Sequence, residues 1–250
     1  MGTDAEIERV AAALADADHV VAFTGAGVST ASGIPDFRSE GGIWERFDPA
    51  EFHYTRFRRD PSGFWKRRVK LYDVVYGDDI EPNAAHEALA TLERRDVLDA
   101  VVTQNIDGLH AAAGSEAVVE LHGNADRVVC DGCGKRSPVE PVTQRVEDGD
   151  LPPQCGCGSA LKPDVVLFGE QLPMAELERA QRHARKADVF LALGSSLVVE
   201  PAASLPRIAQ RTGGTLVVVN LEETPVSGAA DYDIRGDVTE VLPQLTEAIE

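Results

Sequence analysis

The chain has 250 residues, 42 of them acidic and 24 basic, for a formal net charge of −18, and 43% are hydrophobic. That length fits one large domain, or one domain with a small insertion, and the apolar share supplies a core. The charge argues against nucleic acid and anionic membrane as direct partners, because both are met by a basic face.

Lysine is scarce. Lys66, Lys70, Lys135, Lys162 and Lys186 are the only five, and arginine makes up the other basic residues. Many carboxylates with few lysines suit concentrated salt, where screening acts over a few ångströms and self-repulsion is tolerable. An acidic mesophilic enzyme is the competing account. The start, Met1-Gly2-Thr3-Asp4-Ala5-Glu6, has no charged-then-apolar leader pattern. Apolar runs such as Leu216-Val217-Val218-Val219 are too short to cross a bilayer. A cytoplasmic protein is expected, in a reducing compartment where four cysteines are not a disulfide set.

In chain order, Thr3 and Glu6 form a capping-box pattern, and Ile7, Val10, Ala11 and Leu14 share one helical face. His19 to Phe23 reads as a buried strand that ends at Gly25. Asn83 through Arg94 predicts a helix with Ala85, Leu89 and Leu92 inward. Ala100 to Thr103 and Val118 to Leu121 read as two more buried strands. Pro173 suits a first helical turn, in a helix that runs to about Lys186 with Arg185 and Lys186 in its last turn. Val189 to Leu193 and Leu216 to Val219 are further short apolar runs, with a crossover helix predicted over Pro201 to Gln210. Short apolar strands alternating with helices predict an α/β domain, a parallel sheet covered on both faces. Two stretches break the rhythm: residues 38–82, aromatic and arginine-rich with a short helix near Ser62 to Tyr76, and residues 123–162, which hold every cysteine.

Cys130-Asp131-Gly132-Cys133 and Cys155-Gly156-Cys157 are two chelating turns. Together they make a tetrathiolate set for which zinc is the usual ion, and four thiolates leave no open position, so such a zinc is structural. Arg127, Lys135 and Arg136 stand near in sequence to ease its negative charge. A redox dithiol or free buried thiols are the alternatives. The metal should supply most of the stability of an insertion with few apolar residues.

The turn after the first strand, Thr24-Gly25-Ala26-Gly27-Val28-Ser29, can cradle a pyrophosphate on backbone amides. Thr30 stands where the dinucleotide fingerprint has a third glycine, which disfavours a dehydrogenase; a plain strand-to-helix turn is the alternative. Beside it lies Gly33-Ile34-Pro35-Asp36-Phe37-Arg38, where Arg38 can pair a phosphate and Phe37 can cover a ring. Gln104-Asn105-Ile106-Asp107 ends the second strand with groups that read a carboxamide and ribose hydroxyls. His122 ends the third, where a histidine can act as a general base.

These stretches, in this order, resemble the sirtuins, a family of NAD-dependent protein lysine deacylases. The likeness continues through Val165-Val166-Leu167-Phe168-Gly169-Glu170, Gly194-Ser195-Ser196 and Asn220, and covers nearly the whole chain. It implies a Rossmann-like domain (1–37, 83–122 and 163–250), a helical insertion (38–82) and a zinc-binding insertion (123–162). It implies NAD and zinc as cofactors, acetyl-lysine proteins as substrates, and His122 and Asn105 as catalytic residues. By the same resemblance Gly25, Ala26, Gly27, Asp36, Arg38, Gly194, Ser195 and Ser196 would form the phosphate side. Asn105, Ile106 and Asp107 would line the nicotinamide pocket under Phe37, and Gln104 and His122 would meet the nicotinamide ribose. Asn220, Leu221 and Glu222 would hold the adenine ribose, with Val238 at the adenine. The peptide would lie between Val165, Phe168, Gly169 and Glu170 on one side and a stretch containing Val198 on the other. Members that prefer acidic acyl groups carry a Tyr-x-x-Arg pair in the helical insertion. Here Arg68 aligns with the Tyr and Leu71 with the Arg, which implies acetyl or another uncharged acyl group. Mono-ADP-ribosyl transfer and a non-catalytic NAD or ADP-ribose sensor are the other functions this resemblance admits.

Overall fold

The apolar run that precedes the glycine turn is where the architecture starts. A computed structural model describes residues 3–37, 41–75 and 80–249. Helix α1 (Thr3–Ala15) buries Ile7, Val10, Ala11 and Leu14, and the chain enters β1 (Val20–Thr24), all five residues of which are buried. Three short helices follow, α2 (Ile43–Arg46), α3 (Tyr54–Arg59) and α4 (Pro61–Val75), then α5 (Ala84–Arg94) and β2 (Ala100–Thr103). After α6 (Leu109–Ala112) and β3 (Val118–Glu120) come β4 (Gly123–Cys130), β5 (Arg136–Pro138), α7 (Glu140–Glu147) and β6 (Leu161–Val165). The remainder is α8 (Met174–Lys186), β7 (Val189–Leu193), α9 (Leu205–Arg211), β8 (Thr215–Asn220), β9 (Tyr232–Arg235) and α10 (Val238–Ala248).

Six strands form one parallel sheet in the order β3-β2-β1-β7-β8-β9. Because strand side chains alternate faces, the apolar runs split cleanly. Val20, Ala22, Leu191 and Leu193 pack on one side with α1, α5 and α10. Val21, Phe23, Phe190 and Ala192 pack on the other with α8 and α9. The order reverses between β1 and β7, and the crevice beyond the strand ends at such a switch point is where open α/β sheets bind ligands.

The elements read from the sequence are present, with local shifts. Helix α9 begins at Leu205 after a 3₁₀ turn at Ala202–Ser204, and not at Pro201. Pro206 has no N–H to donate, so it is accommodated in a first turn and not in a helix interior. Pro173 caps α8 from just outside it. The predicted helical end at Tyr76 lies outside the described residues. Strand β9 carries a single buried residue, Ile234, so it has no apolar run to announce it.

A second, antiparallel sheet runs β5-β4-β6 and carries the cysteines. Among its few apolar residues, Val128, Val139, Val142, Val146 and Leu161 enclose Trp65 of α4, which is fully buried and donates its indole N–H to the Leu161 carbonyl at 2.7 Å. Arg68 of the same helix donates to the Ala125 carbonyl at 3.0 Å. From α3, the Tyr54 hydroxyl and Arg58 both bind Asp131, between the first two cysteines. The helices and the second sheet therefore share one core.

At the switch point two turns interlock. Gly25 N–H donates to Leu193 O at 3.1 Å and Gly27 N–H to Gly194 O at 2.8 Å. A Cβ on Gly27 would stand 2.8 Å from Gly194 O, and Gly194 itself has φ +53 with Val28 N 2.6 Å from where its Cβ would be. Only glycine permits that approach and that dihedral. Gly27→Ala and Gly194→Ala are each expected to cost about 1–3 kcal/mol in unfolding free energy, read by denaturant melts.

Candidate active site

The carboxyl ends of β1, β2, β3 and β7 converge on one cleft. The Gly25 turn is a single 3₁₀ turn (Ala26–Val28). The Ala26 N–H has no partner among the described residues, and neither has that of the exposed Ser196 opposite. Asn83, the N-cap of α5, fastens this turn by donating to Val28 O at 2.8 Å and Ser32 Oγ at 2.9 Å. Arg38 lies outside the described residues. Asp36 and Phe37 are half-buried at the end of the segment that leaves the turn.

Asn105 is buried, and its amide donates to Gly25 O and to Ser29 Oγ, each at 3.0 Å. Ser29 passes the chain on by donating to Asp107 Oδ2 at 2.8 Å, while Asp107 Oδ1 accepts the Leu109 N–H at 3.0 Å. Burial raises the Asp107 carboxyl above its ordinary range, and these two hydrogen bonds oppose the rise. Ser29 was the residue the sequence did not single out, although it ends the glycine motif. A cavity of about 50 Å³ opens here among Ala26, Phe37, Asn105, Ile106 and Asp107. Ile106 and Leu71 also wall a neighbouring apolar cavity of about 70 Å³, with Phe52, Phe64, Arg68 and Val165 around it. The Arg68 guanidinium stands over the Tyr72 ring at 5.0 Å, and only its apolar stem reaches the wall.

His122 holds a defined tautomer. Its Nδ1 lies 2.9 Å from the Gln104 carbonyl. A carbonyl only accepts, so Nδ1 carries the proton and Nε2 keeps its lone pair. Burial pushes the ring's pKa below its usual value, opposed by the bond to Gln104. The Gln104 side chain donates to Ser195 Oγ at 2.9 Å, which ties the β2 and β7 ends together.

Other sequence-selected residues fall around this centre. Asn220 sits at the end of β8 with its amide on the Glu222 carbonyl at 2.9 Å, and Leu221 beside it is 72% exposed. Val238 opens α10 with its side chain buried in the core. Phe168 and Val198 are exposed apolar residues on the two strips read as flanking the peptide. Gly169 lies against the His53 ring. Glu170 turns its carboxylate inward, accepting from Leu167 N–H at 2.9 Å and from the buried Lys162 ammonium at 3.0 Å. Lys162 also donates to Val165 O at 2.6 Å, so this pair shapes the strip from within.

The four cysteine sulfurs lie within 4.8 Å of one another, with Cys130–Cys157 at 3.4 Å and Cys133–Cys155 at 3.8 Å. Tetrahedral zinc with bonds near 2.3 Å sets its sulfurs roughly 3.8 Å apart, so the donor set fits zinc despite the short Cys155-Gly156-Cys157 turn. Arg127 and Arg136 do not face the sulfurs as expected. Both pair with Asp164, at 3.2 and 2.8 Å, because a nearly buried carboxylate needs its charge met.

Behind the Asn105 network the Thr24 hydroxyl donates to Thr103 Oγ1 at 2.9 Å and meets His110 Nε2 at 2.9 Å. His110 packs against His86, ring centroids 4.8 Å apart. Both rings are buried, and this holds their pKa values down to about 3 and about 4.

With this geometry in view, relatives were compared. The Sir2 family model matches residues 25–201. A protein from Haloarcula marismortui named an NAD-dependent protein deacetylase is 59% identical over 97% of this chain and 94% of its own. A second, from Archaeoglobus fulgidus and named NAD-dependent protein deacylase 2, is 43% identical over 98% and 96%. A Sir2 enzyme structure solved for mechanism and regulation superposes with TM-score 0.86 at 43% identity over 98% of both chains. A mutant Sir2 with a deacetylated p53 peptide and 3′-O-acetyl-ADP-ribose superposes with TM-score 0.87 at 40% identity, covering 96% of this chain and 97% of its own. The chain belongs to the Sir2 family.

Two outcomes follow. A metal assay should find about one zinc per chain, and Cys155→Ser should lose it together with the melting cooperativity of the second sheet. The depressed pKa values of His86 and His110 mean that the unfolded chain takes up protons that the folded chain refuses. Stability should therefore fall as pH drops below about 6.5, by up to about 1.4 kcal/mol per pH unit for each ring. Ring NMR signals should show both still neutral at pH 5, and protonation of either there would contradict the burial argument.

Proposed function

We propose that this chain is an NAD-dependent protein lysine deacetylase that transfers the acyl group of acyl-lysine to ADP-ribose and releases nicotinamide. The observation that carries the proposal is the convergence at one switch point of an interlocked glycine turn, the Asn105–Ser29–Asp107 network and a His122 with a free Nε2. NAD supplies the electrophilic sugar carbon, and zinc holds the second sheet without taking part.

The division into a Rossmann-like domain, a helical insertion and a zinc-binding insertion is part of this proposal. So are the residue roles. Backbone amides around Gly25, Ala26, Gly27, Gly194, Ser195 and Ser196 receive the phosphates, with Asp36 and Arg38 beside them. Asn105, Ile106 and Asp107 hold the carboxamide ring. Phe37 covers the sugar carbon and keeps water off it, which prevents simple hydrolysis. Gln104 and His122 address the ribose hydroxyls, and His122 Nε2 takes the proton when a hydroxyl attacks the captured acyl carbon. Asn220, Leu221 and Glu222 hold the adenine ribose. Val238 adds only the backbone of its helix start, since its side chain is in the core. An extended acetyl-lysine peptide pairs with backbone between the Val165, Phe168, Gly169 strip and the Val198 strip. Glu170 closes the same strip, its backbone available to the peptide while its carboxylate holds the strip from within. The acyl end enters the cavity walled by Ile106 and Leu71, whose lining favours an uncharged group.

No helix among the described residues is long and apolar enough to cross a membrane. We place the protein in the cytoplasm of a salt-adapted organism, a view supported by a net charge of −18 and by a relative from the halophilic archaeon Haloarcula marismortui.

Mass spectrometry of an acetyl-lysine peptide with NAD in molar potassium chloride tests the proposal. Loss of acetyl should match nicotinamide and O-acetyl-ADP-ribose one for one. His122→Ala should lower turnover by about 10²- to 10⁴-fold while NAD binding is largely kept, and robust turnover by that variant would sink the assignment of the base. Since burial lowers the His122 pKa and the neutral ring is the base, rate should stay flat down to pH 6.5 and fall only below it. ADP-ribosylated peptide in place of deacetylated peptide would favour ADP-ribosyl transfer instead.

A further inference from the structure

Two aromatic side chains belong to the proposed site: Phe37 in the cavity with Asn105 and Asp107, and the exposed Phe168 on the strip proposed to seat the peptide. One residue touches both. The Trp44 ring lies 5.4 Å from Phe37 at 30° and 5.4 Å from Phe168 at 59°, centroid to centroid, and 6.0 Å from Phe52. Its backbone N–H also donates to the Phe37 carbonyl at 3.2 Å, next to the bond from Ile43 N–H to Asp36 O at 2.8 Å. On the far side, two hydrogen bonds fix the Phe168 main chain. Its N–H donates to Phe52 O at 3.3 Å and its carbonyl accepts from Tyr54 N–H at 2.9 Å, while 41% of the residue remains exposed. Phe168 is thus anchored at the main chain and open at the ring to an arriving peptide. Trp44 is itself only half-buried, unlike Phe57 and Phe64 in the same cluster.

We infer that Trp44 is a positioning residue that couples occupancy of the acyl-lysine seat to the placement of Phe37 over the reacting sugar carbon. This rests on the deacetylase proposal for what happens at that carbon, but the aromatic bridge is independent of it. The carbon has two fates once its bond to nicotinamide breaks and the electron pair leaves with the ring. In acyl transfer the acyl-lysine oxygen bonds to it. In hydrolysis a water oxygen bonds to it, the water proton goes to solvent, and ADP-ribose forms with the lysine still acylated. A peptide pressing on Phe168 packs Trp44 against Phe37 and closes the path to water. With the seat empty the bridge carries no load. An indole is long enough to reach both neighbours, whereas a phenyl ring reaches one and a leucine reaches neither face to face.

The test measures the ratio of ADP-ribose to O-acetyl-ADP-ribose formed from NAD and an acetyl-lysine peptide by the wild type, Trp44→Phe and Trp44→Leu. The ratio should rise by about five- to ten-fold in Trp44→Leu, the scale of one lost aromatic contact, and less in Trp44→Phe, with zinc content and Tm unchanged. Both products falling together at a constant ratio would overturn the inference. Should Trp44→Leu not fold, Trp44→Phe decides by the same ratio. A readout without turnover separates this inference from the deacetylase proposal. Trp44 and the fully buried Trp65 are the only tryptophans. Emission should change when peptide is added alone and again when ADP-ribose follows, and Trp44→Phe should abolish both changes. A peptide that binds without altering the emission, or a response that survives in Trp44→Phe, overturns the coupling even if deacetylation is robust. An emission response without any acyl transfer leaves the coupling standing and removes the deacetylase proposal.

Discussion

The clasp of the Gly25 turn on the Gly194 turn is the contact on which the rest of the site depends. It joins β1 to β7 where the strand order reverses, and it does so through backbone alone. That approach leaves no room for a Cβ, and it brings together the ends of four strands that are far apart in the chain. Asn105 then caps the clasp by donating to the Gly25 carbonyl, Gln104 crosses to Ser195, and His122 hangs from the Gln104 carbonyl. Each of these bonds is useful only because the previous one fixes its partner. A fault in the clasp would therefore spread to the base as well as to the phosphate cradle.

The chemistry of this network also answers the charge problem. A chain with net charge −18 must receive a dinucleotide whose phosphates are negative. The contacts that build the centre are between amides, hydroxyls, backbone groups and a neutral imidazole, and Asp107 is the single carboxylate among them. Such short-range hydrogen bonds are little affected by ionic strength, whereas exposed charges more than about 3 Å apart are largely screened in molar salt. A salty solvent thus leaves the centre intact while screening the acidic surface.

Helix α4 and the second sheet behave as one body because of Trp65. It comes from the helical stretch, yet it fills the core of the cysteine-bearing sheet. Asp131, placed between two zinc ligands, receives Tyr54 and Arg58 from α3, and Tyr54 in turn bonds the peptide strip at Phe168. Order at the metal is in this way connected to order at the substrate seat.

The buried strands and the helix over Asn83 to Arg94 were legible from local periodicity and the tetrathiolate set from chelate spacing, while the roles at the site came from the resemblance to the sirtuins. Strand β9 and the second sheet were not legible, since their apolar residues are few and become a core only with Trp65 supplied from elsewhere. The inward turn of the Glu170 carboxylate and the pairing of Arg127 and Arg136 with Asp164 come from packing between elements, which position along the chain does not reveal. By itself the sequence determined which chemical groups are present and which strand ends carry them, because strand register and glycine content are local properties. Only the tertiary structure decided which tautomer His122 holds, how Ser29 joins Asn105 to Asp107, and that Trp44 bridges Phe37 and Phe168, because those depend on side chains meeting across elements that no local spacing brings together.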